Sequence, residues 1–198
     1  MTDHRRVVGH RLGAPPMTDH RGPILLTLAR STIAAALGGP PVVIPDAAFL
    51  VEPGACFVSL HRDGQLRGCI GNILPVDHLQ DAVTHNAVAA ALRDPRFTPL
   101  RPHELADTTI DISLLSPLSP LPAHSEAALL AALRPGVDGL RISSGTRGAV
   151  FIPSVWEQLP DPRAFLDHLR AKAGLPRDRW PADMHADRFT AEHFKEQS

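Results

Sequence analysis

Cys69 is the residue most able to do chemistry in this sequence. It stands in Leu66-Arg67-Gly68-Cys69-Ile70-Gly71. A thiolate is a nucleophile, and a nearby guanidinium favours thiolate over thiol. Arg67 lies two residues away, so in a strand both side chains would share one face. The same guanidinium can hold a carboxylate or phosphate. Gly68 and Gly71 weaken a strand, which predicts close approach to the backbone and accessible N–H groups of the kind an oxyanion site uses. The plainer alternative is a small buried cysteine in a glycine-rich strand.

The motif sits on the return half of a hairpin. Phe57 to Arg62 and Gln65 to Asn72 flank Asp63-Gly64, a two-residue turn signal. A regular ladder around that turn sets Val58 opposite Cys69, Gly71 opposite Cys56, and His61 opposite Leu66. The two cysteines then become diagonal neighbours, roughly 7–8 Å apart and beyond comfortable disulfide reach. A reduced thiol pair is expected.

The elements that must position this hairpin follow from pattern. The first 21 residues are polar and repeat Met-Thr-Asp-His-Arg at 1 and 17. They read as a flexible arm, with either Met1 or Met17 as the natural start. Gly22 to Leu37 carries a helical stripe ended by Gly38-Gly39. Val76 to Leu92 has its apolar face at Val76, Leu79, Val83, Ala87 and Ala90, with Asp77 or a neighbour as cap. Asp94-Pro95-Arg96-Phe97 follows as a stiff loop. Thr108 to Leu115 alternates as a strand. Ser125 caps a short helix to Leu133. Leu140–Ser143 and Ala149–Ile152 form a second hairpin. Pro162 to Ala173 is a helix stopped by Gly174, and His185 to Phe194 is a closing strand. Hairpins separated by helices without βαβ alternation predict an α+β fold with a mostly antiparallel sheet.

Composition narrows the classes. The 198 residues are 43% hydrophobic and 21% charged, with net charge −1, ordinary for one globular domain. Neither a nucleic-acid surface nor a membrane span is indicated. No phosphate loop, dinucleotide fingerprint or iron–sulfur cysteine set occurs. The expected location is the cytoplasm. His78, Asp81 and His85 share a helix face, but a solvated surface explains them, and no metal site or cofactor is expected.

The cysteine motif, with Asn86-Ala87, Asp94-Pro95-Arg96-Phe97, Pro99-Leu100, Leu114-Leu115-Ser116, Gly139-Leu140, Phe165-Leu166-Asp167-His168-Leu169 and Lys172-Ala173-Gly174-Leu175, resembles the AMMECR-type domain family, the AmmeMemoRadiSam system protein A of bacteria. The likeness spans residues 22–194, leaving 195–198 as a tail. It implies a two-lobed α+β domain with the cysteine motif beside a cleft. It also implies partnership with a Memo-like protein and a radical S-adenosylmethionine protein. Arg170 stands where many relatives carry a cysteine, which weakens a two-thiol mechanism. With only two cysteines the chain is not itself the radical enzyme.

A nucleophile also needs a base. His168 and His61 are the candidates. The regular ladder turns His61 away from Cys69, which favours His168. Arg67 and Arg96 either line an anion site or pair internally, Arg67 with Glu104 and Arg96 with Asp94. Asn86, a poor helix-interior residue, either lines the cleft or latches the backbone of the cysteine strand. Two functions remain. One is a component of a Memo/radical-SAM-associated modification system, with Cys69 as catalytic nucleophile, His168 as base, and Arg67, Gly68, Gly71, Asn86 and Arg96 as substrate contacts. The other is a non-catalytic binding or adaptor protein offering the same groove to a small anionic ligand, a peptide or the Memo-like partner.

Overall fold

Alternation along Cys56–Arg62 (β1) sends Cys56, Val58 and Leu60 to one side and Phe57, Ser59 and His61 to the other. The first set is fully buried; the second is partly exposed. In a computed structural model describing residues 20–176 and 178–197, this division organises the first of two lobes. β1 pairs antiparallel with Gln65–Gly71 (β2) and with Thr108–Leu115 (β3), and β3 pairs with Ala191–Lys195 (β8). The sheet order is β2-β1-β3-β8. Arg21–Ala36 (α1) and Leu79–Leu92 (α2) cover its apolar face. Leu25, Leu28 and Ile33 from α1, Val83 and Ala87 from α2, and Ile110 and Ile112 from β3 close the core completely. Each such side chain contributes roughly 1.5–3 kcal/mol by leaving water.

The second lobe follows β3. Ser119–Leu121 (β4), Gly139–Ser144 (β5), Arg147–Phe151 (β6) and His185–Phe189 (β7) form a sheet of order β4-β7-β5-β6. Glu126–Ala132 (α3), Pro162–Lys172 (α4) and a 3₁₀ turn at Pro153–Glu157 pack against it. Ser125 caps α3 by accepting from the Ala128 N–H, and Asp161 caps α4 through the Ala164 N–H. Gly174, at φ +67°, ends α4 with the bonds Leu175 N–H to Arg170 and Gly174 N–H to Ala171. The Trp156 indole stacks on Phe165 at 3.8 Å and donates to the Asp138 carbonyl.

Four expectations change. The α+β class holds, but the hairpin is not a regular ladder. Arg62 faces Gln65 and His61 faces Leu66 as expected, then Leu60 faces Gly68, leaving Arg67 as an extra residue in β2. That bulge moves every later pair by one place and turns the strand over. Cys69 therefore lies opposite Ser59 rather than Val58, and Gly71 opposite Phe57 rather than Cys56. The cysteines face opposite sides of the sheet, which forbids a disulfide for a reason other than diagonal distance.

The second helix starts at Leu79, not Val76. Val76 exchanges backbone bonds with Gly54, His78 is extended, and no side chain caps the helix. The closing segment is two strands. At Thr190 the chain leaves the second sheet and enters the first. Ser116 fastens that step: its N–H donates to the Thr190 carbonyl and its hydroxyl accepts the Thr190 N–H, both at 2.9 Å. The Met-Thr-Asp-His-Arg arm lies almost entirely outside the described residues. At the other end Lys195 belongs to β8. Glu196 binds Arg30 of α1 and accepts the Ile110 N–H at 2.8 Å, so these tail positions are packed.

Candidate active site

β2 is an edge strand, so its outward backbone groups need partners. Asp94 and Arg96 supply them at the motif. Asp94 Oδ2 accepts the Cys69 N–H at 2.9 Å, and Arg96 Nη2 donates to the Cys69 carbonyl at 3.0 Å. Arg96 closes on Asp94 through Nε at 3.0 Å and Nη2 at 2.7 Å. Asp94 is only 4% exposed. The Arg96 bonds, with the Cys69 N–H, hold its carboxyl well below the usual carboxylate range. In return Asp94, and to a lesser degree the Cys69 side chain, keeps the Arg96 guanidinium charged. Asp-Pro-Arg-Phe thus acts as a two-pronged substitute for a neighbouring strand.

Because both Cys69 backbone groups point outward, Cys69 and Ser59 are a non-hydrogen-bonded pair, the kind whose side chains stand closest. Ser59 Oγ donates to Cys69 Sγ at 3.1 Å. Continuing across the sheet, Ser59 faces Asp111 and Asp111 faces Lys195. The result is one transverse row, Cys69–Ser59–Asp111–Lys195. The adjoining row is Gly71–Phe57–Ser113–His193, in which Ser113 Oγ lies 3.0 Å from His193 Nδ1. His61 stands beside the first row, with Nδ1 buried, unbonded and 3.5 Å from Asp111 Oδ2.

These residues floor a cleft of about 810 Å³ whose opposite wall comes from the second lobe, through Gly136, Ile152, Pro153 and Trp156. Among the described residues no group of side chains has the composition and spacing of a metal site. Among the same residues no helix is long and apolar enough to cross a membrane.

The chain matches the AMMECR1 family over residues 26–194. It belongs to the AMMECR1 family. It is 37% identical over 188 residues to a protein of Methanothermobacter thermautotrophicus, covering 91% of this chain and 97% of that one. With Protein MJ0810 of Methanocaldococcus jannaschii it shares 34% identity, over 91% and 92% of the two chains. The crystal structure of the uncharacterized protein PH0010 from Pyrococcus horikoshii has a TM-score of 0.79 and 32% identity, covering 91% of this chain and 93% of that one.

Within this AMMECR1 fold the residues singled out by sequence separate into three places. Cys69 is half-buried on the cleft floor. The other motif residues serve its support. Arg67, carried on the bulge, donates to the Thr98 carbonyl at 2.7 Å and pairs with Glu104 at 3.3 Å. Gly68 faces α2, where an added Cβ would stand 2.1 Å from the Ala90 carbonyl oxygen. Its pairing with Leu60 puts its N–H in the ladder, so it is no oxyanion donor. Gly71 makes room for the Phe57 ring, 2.2 Å from where a Cβ would sit.

Asn86 is the latch. It is 3% exposed and donates to the Cys56 carbonyl at 3.0 Å and to Asn72 Oδ1 at 2.7 Å. Cys56 beside it is fully buried, and burial pushes its thiol up to about 11. His168 lies on α4, in a separate second-lobe groove with Glu126, Arg163 and Asp167. The histidine on the Cys69 face is His61, the one a regular ladder turned away. Ser59, Asp111, Ser113, His193 and Lys195 went unread as site residues. For Ser59, Asp111 and Ser113 the signal was polar alternation along strands whose other faces are Val, Leu and Ile; His193 and Lys195 carry no such signal, since their strand has Glu192 and Phe194 on its other face.

Proposed function

We propose that this AMMECR1 domain is the thiol component of a modification system that works with a Memo-like protein and a radical S-adenosylmethionine protein. Its working site is the cleft over β1, β2 and β3. The observation that carries this reading is the Ser59 hydroxyl directed at Cys69 Sγ on the floor of that cleft. A donated hydrogen bond favours the anionic form of the group that accepts it. Arg96 and Asp94 grip the backbone on either side of that thiol as a mutually balanced ion pair, and so hold it in place.

The site favours group transfer to sulfur over peptide hydrolysis. The N–H of Gly68 is in the ladder and that of Cys69 is taken by Asp94, so the motif brings no free oxyanion pair to the thiol. In the step proposed, Cys69 Sγ bonds to an electrophilic carbon of the group donor. The donor's leaving group departs with its bonding electrons, and the thiol proton passes to His61. Asp111 faces His61 and steadies the imidazolium that results.

The binding-protein reading keeps one observation in its favour. Arg67, Asp94, Arg96 and Asn86 all make internal bonds, so much of the motif builds the strand rather than touching a ligand. In that case the groove presents a shaped surface to a peptide or to the Memo-like partner.

Iodoacetamide labelling of the native protein across pH separates the two. The nucleophile reading expects Cys69 to label faster than a free model thiol such as N-acetylcysteine, and more slowly in Ser59→Ala. Labelling no faster than the model thiol, in a folded protein whose Cys69→Ser variant supports full system activity, would sink it.

A further inference from the structure

The Cys69 cleft does not end at Phe57. Phe57 and Ile152 also line a second cavity of about 520 Å³, so the two spaces share walls. The second cavity has a different character. Its other walls are Ile73, Val150, Phe151 and Val155, and Gly71 forms part of its floor. One charged residue stands there, Lys172 at the end of α4. Its Nζ donates to the Val150 carbonyl at 3.0 Å and lies 5.1 Å from the centre of the Phe151 ring. Those contacts fix the ammonium at the cavity. Among the described residues no carboxylate lies within ion-pair distance of it, in contrast to Arg67, Arg96, Arg134 and Arg170.

An ammonium carries three donors, and on Lys172 the Val150 carbonyl takes one of them. Held against an aromatic face beside Val and Ile, it has at least one donor direction open toward the cavity. An apolar chamber with one fixed cation, opening onto a polar floor, matches an amphipathic carboxylate. Its apolar body would fill the chamber and its carboxylate would meet Lys172.

We propose that the group donor for Cys69 is a small carboxylate with an apolar body, bound across both cavities. This rests on the Cys69 cleft being the working site. Phe57 is the divider. Seated over Gly71, where no side chain competes, it separates the apolar body from the reacting end.

The test uses octanoate, octan-1-ol and octylammonium, which share a chain length and differ in head group. Titration of ¹⁵N-labelled protein followed by NMR gives affinity and location together. The expected result is octanoate binding at least ten-fold tighter than octylammonium, with shifts at Val150, Phe151 and Lys172 extending to Ser59 and Cys69. Lys172→Glu, a change at an exposed side chain, should reverse that order. Val150→Asp should weaken all three, with Val150→Thr as the milder variant should the first fail to fold.

Equal affinities for the three probes, an order unchanged in Lys172→Glu, or shifts confined to other surfaces would overturn the proposal. The same titration on Cys69→Ser keeps it separate from the nucleophile reading. Binding retained there, alongside a wild-type thiol that proves inert, fails the chemistry and leaves the ligand class standing. Loss of head-group selectivity with a reactive thiol does the reverse.

Discussion

Asp94 accepts the backbone N–H of Cys69 at 2.9 Å across 25 positions of sequence. That bond makes a loop after α2 the outer neighbour of an edge strand, and it fixes which way the thiol points. Asp94→Ala removes a buried carboxylate that accepts charge-assisted bonds, a loss of about 1.5–3 kcal/mol. Urea unfolding should show it as a lower midpoint, and Asp94→Asn should recover part of it.

Acid should have the same effect. The Asp94 carboxyl is held below its ordinary range, so the folded state protonates less readily than the unfolded one. Its contribution is complete above the unfolded pKa of ~3.9 and is lost as pH falls toward the lower folded value. Cys56 works in the other direction. Burial raises its thiol to about 11. That contribution is complete below the unfolded value of ~8.5 and fades as pH rises toward the folded one. Unfolding midpoints from pH 2 to 11 should therefore decline at both ends. In Asp94→Asn the acid decline should shrink; an unchanged decline refutes the assignment.

Gly68→Ala should be costly. The new methyl would meet the Ala90 carbonyl oxygen at 2.1 Å, a backbone atom with no freedom to move aside. Overpacking of this kind costs about 1–3 kcal/mol. For a domain of this size that lowers Tm by several degrees. At Gly71 the nearest obstacle is the Phe57 ring, which can turn, and the Cys56 carbonyl oxygen stands farther off at 2.7 Å than the 2.1 Å met at Gly68. Gly71→Ala should cost less stability and instead disturb the boundary between the two cavities.

Native labelling should distinguish the cysteines. Cys69 is half-buried on the cleft floor, and Cys56 is fully buried with a raised pKa. Mass spectrometry after brief alkylation should find the label on Cys69 alone, with Cys56 reacting only on unfolding. Modification of Cys56 first would contradict the strand register given above.

Removing the Ser59 hydroxyl should slow Cys69 alkylation at neutral pH. A net hydrogen-bond contribution of about 0.5–1.5 kcal/mol corresponds to roughly a two- to thirteen-fold change. Ser113→Ala, one row away, should leave the alkylation rate unchanged.

Much of this architecture was legible in local pattern. Thr108 to Leu115 alternates through Ile110, Ile112 and Leu114 and is β3 with those bounds. Ser125 and Gly174 mark helix ends by their own chemistry. Opposite charges close in sequence or on neighbouring elements point to the pairs Arg67–Glu104 and Arg96–Asp94, and both form. The failures were non-local. Nothing in Gln65 to Gly71 announces that Arg67 bulges, because the cause lies elsewhere, in α2 pressing on Gly68 and in the Thr98 and Glu104 partners that draw Arg67 aside. One residue of slip reversed the face of Cys69, and with it the choice between His61 and His168. The break at Thr190 is equally hidden. No turn residue marks it, and only the partner strands change.

The step at Thr190 also determines what kind of object the second lobe is. Its entrance at Leu115 and its exit at Ala191 are paired residues of one ladder. Everything between them is therefore a cassette, grafted between two adjacent strands of an otherwise continuous sheet. A short turn in its place would still close the β3–β8 hairpin, but it would leave Cys69 on an open floor with no opposing wall. The cleft thus exists by insertion: one lobe brings the thiol, and the cassette encloses it.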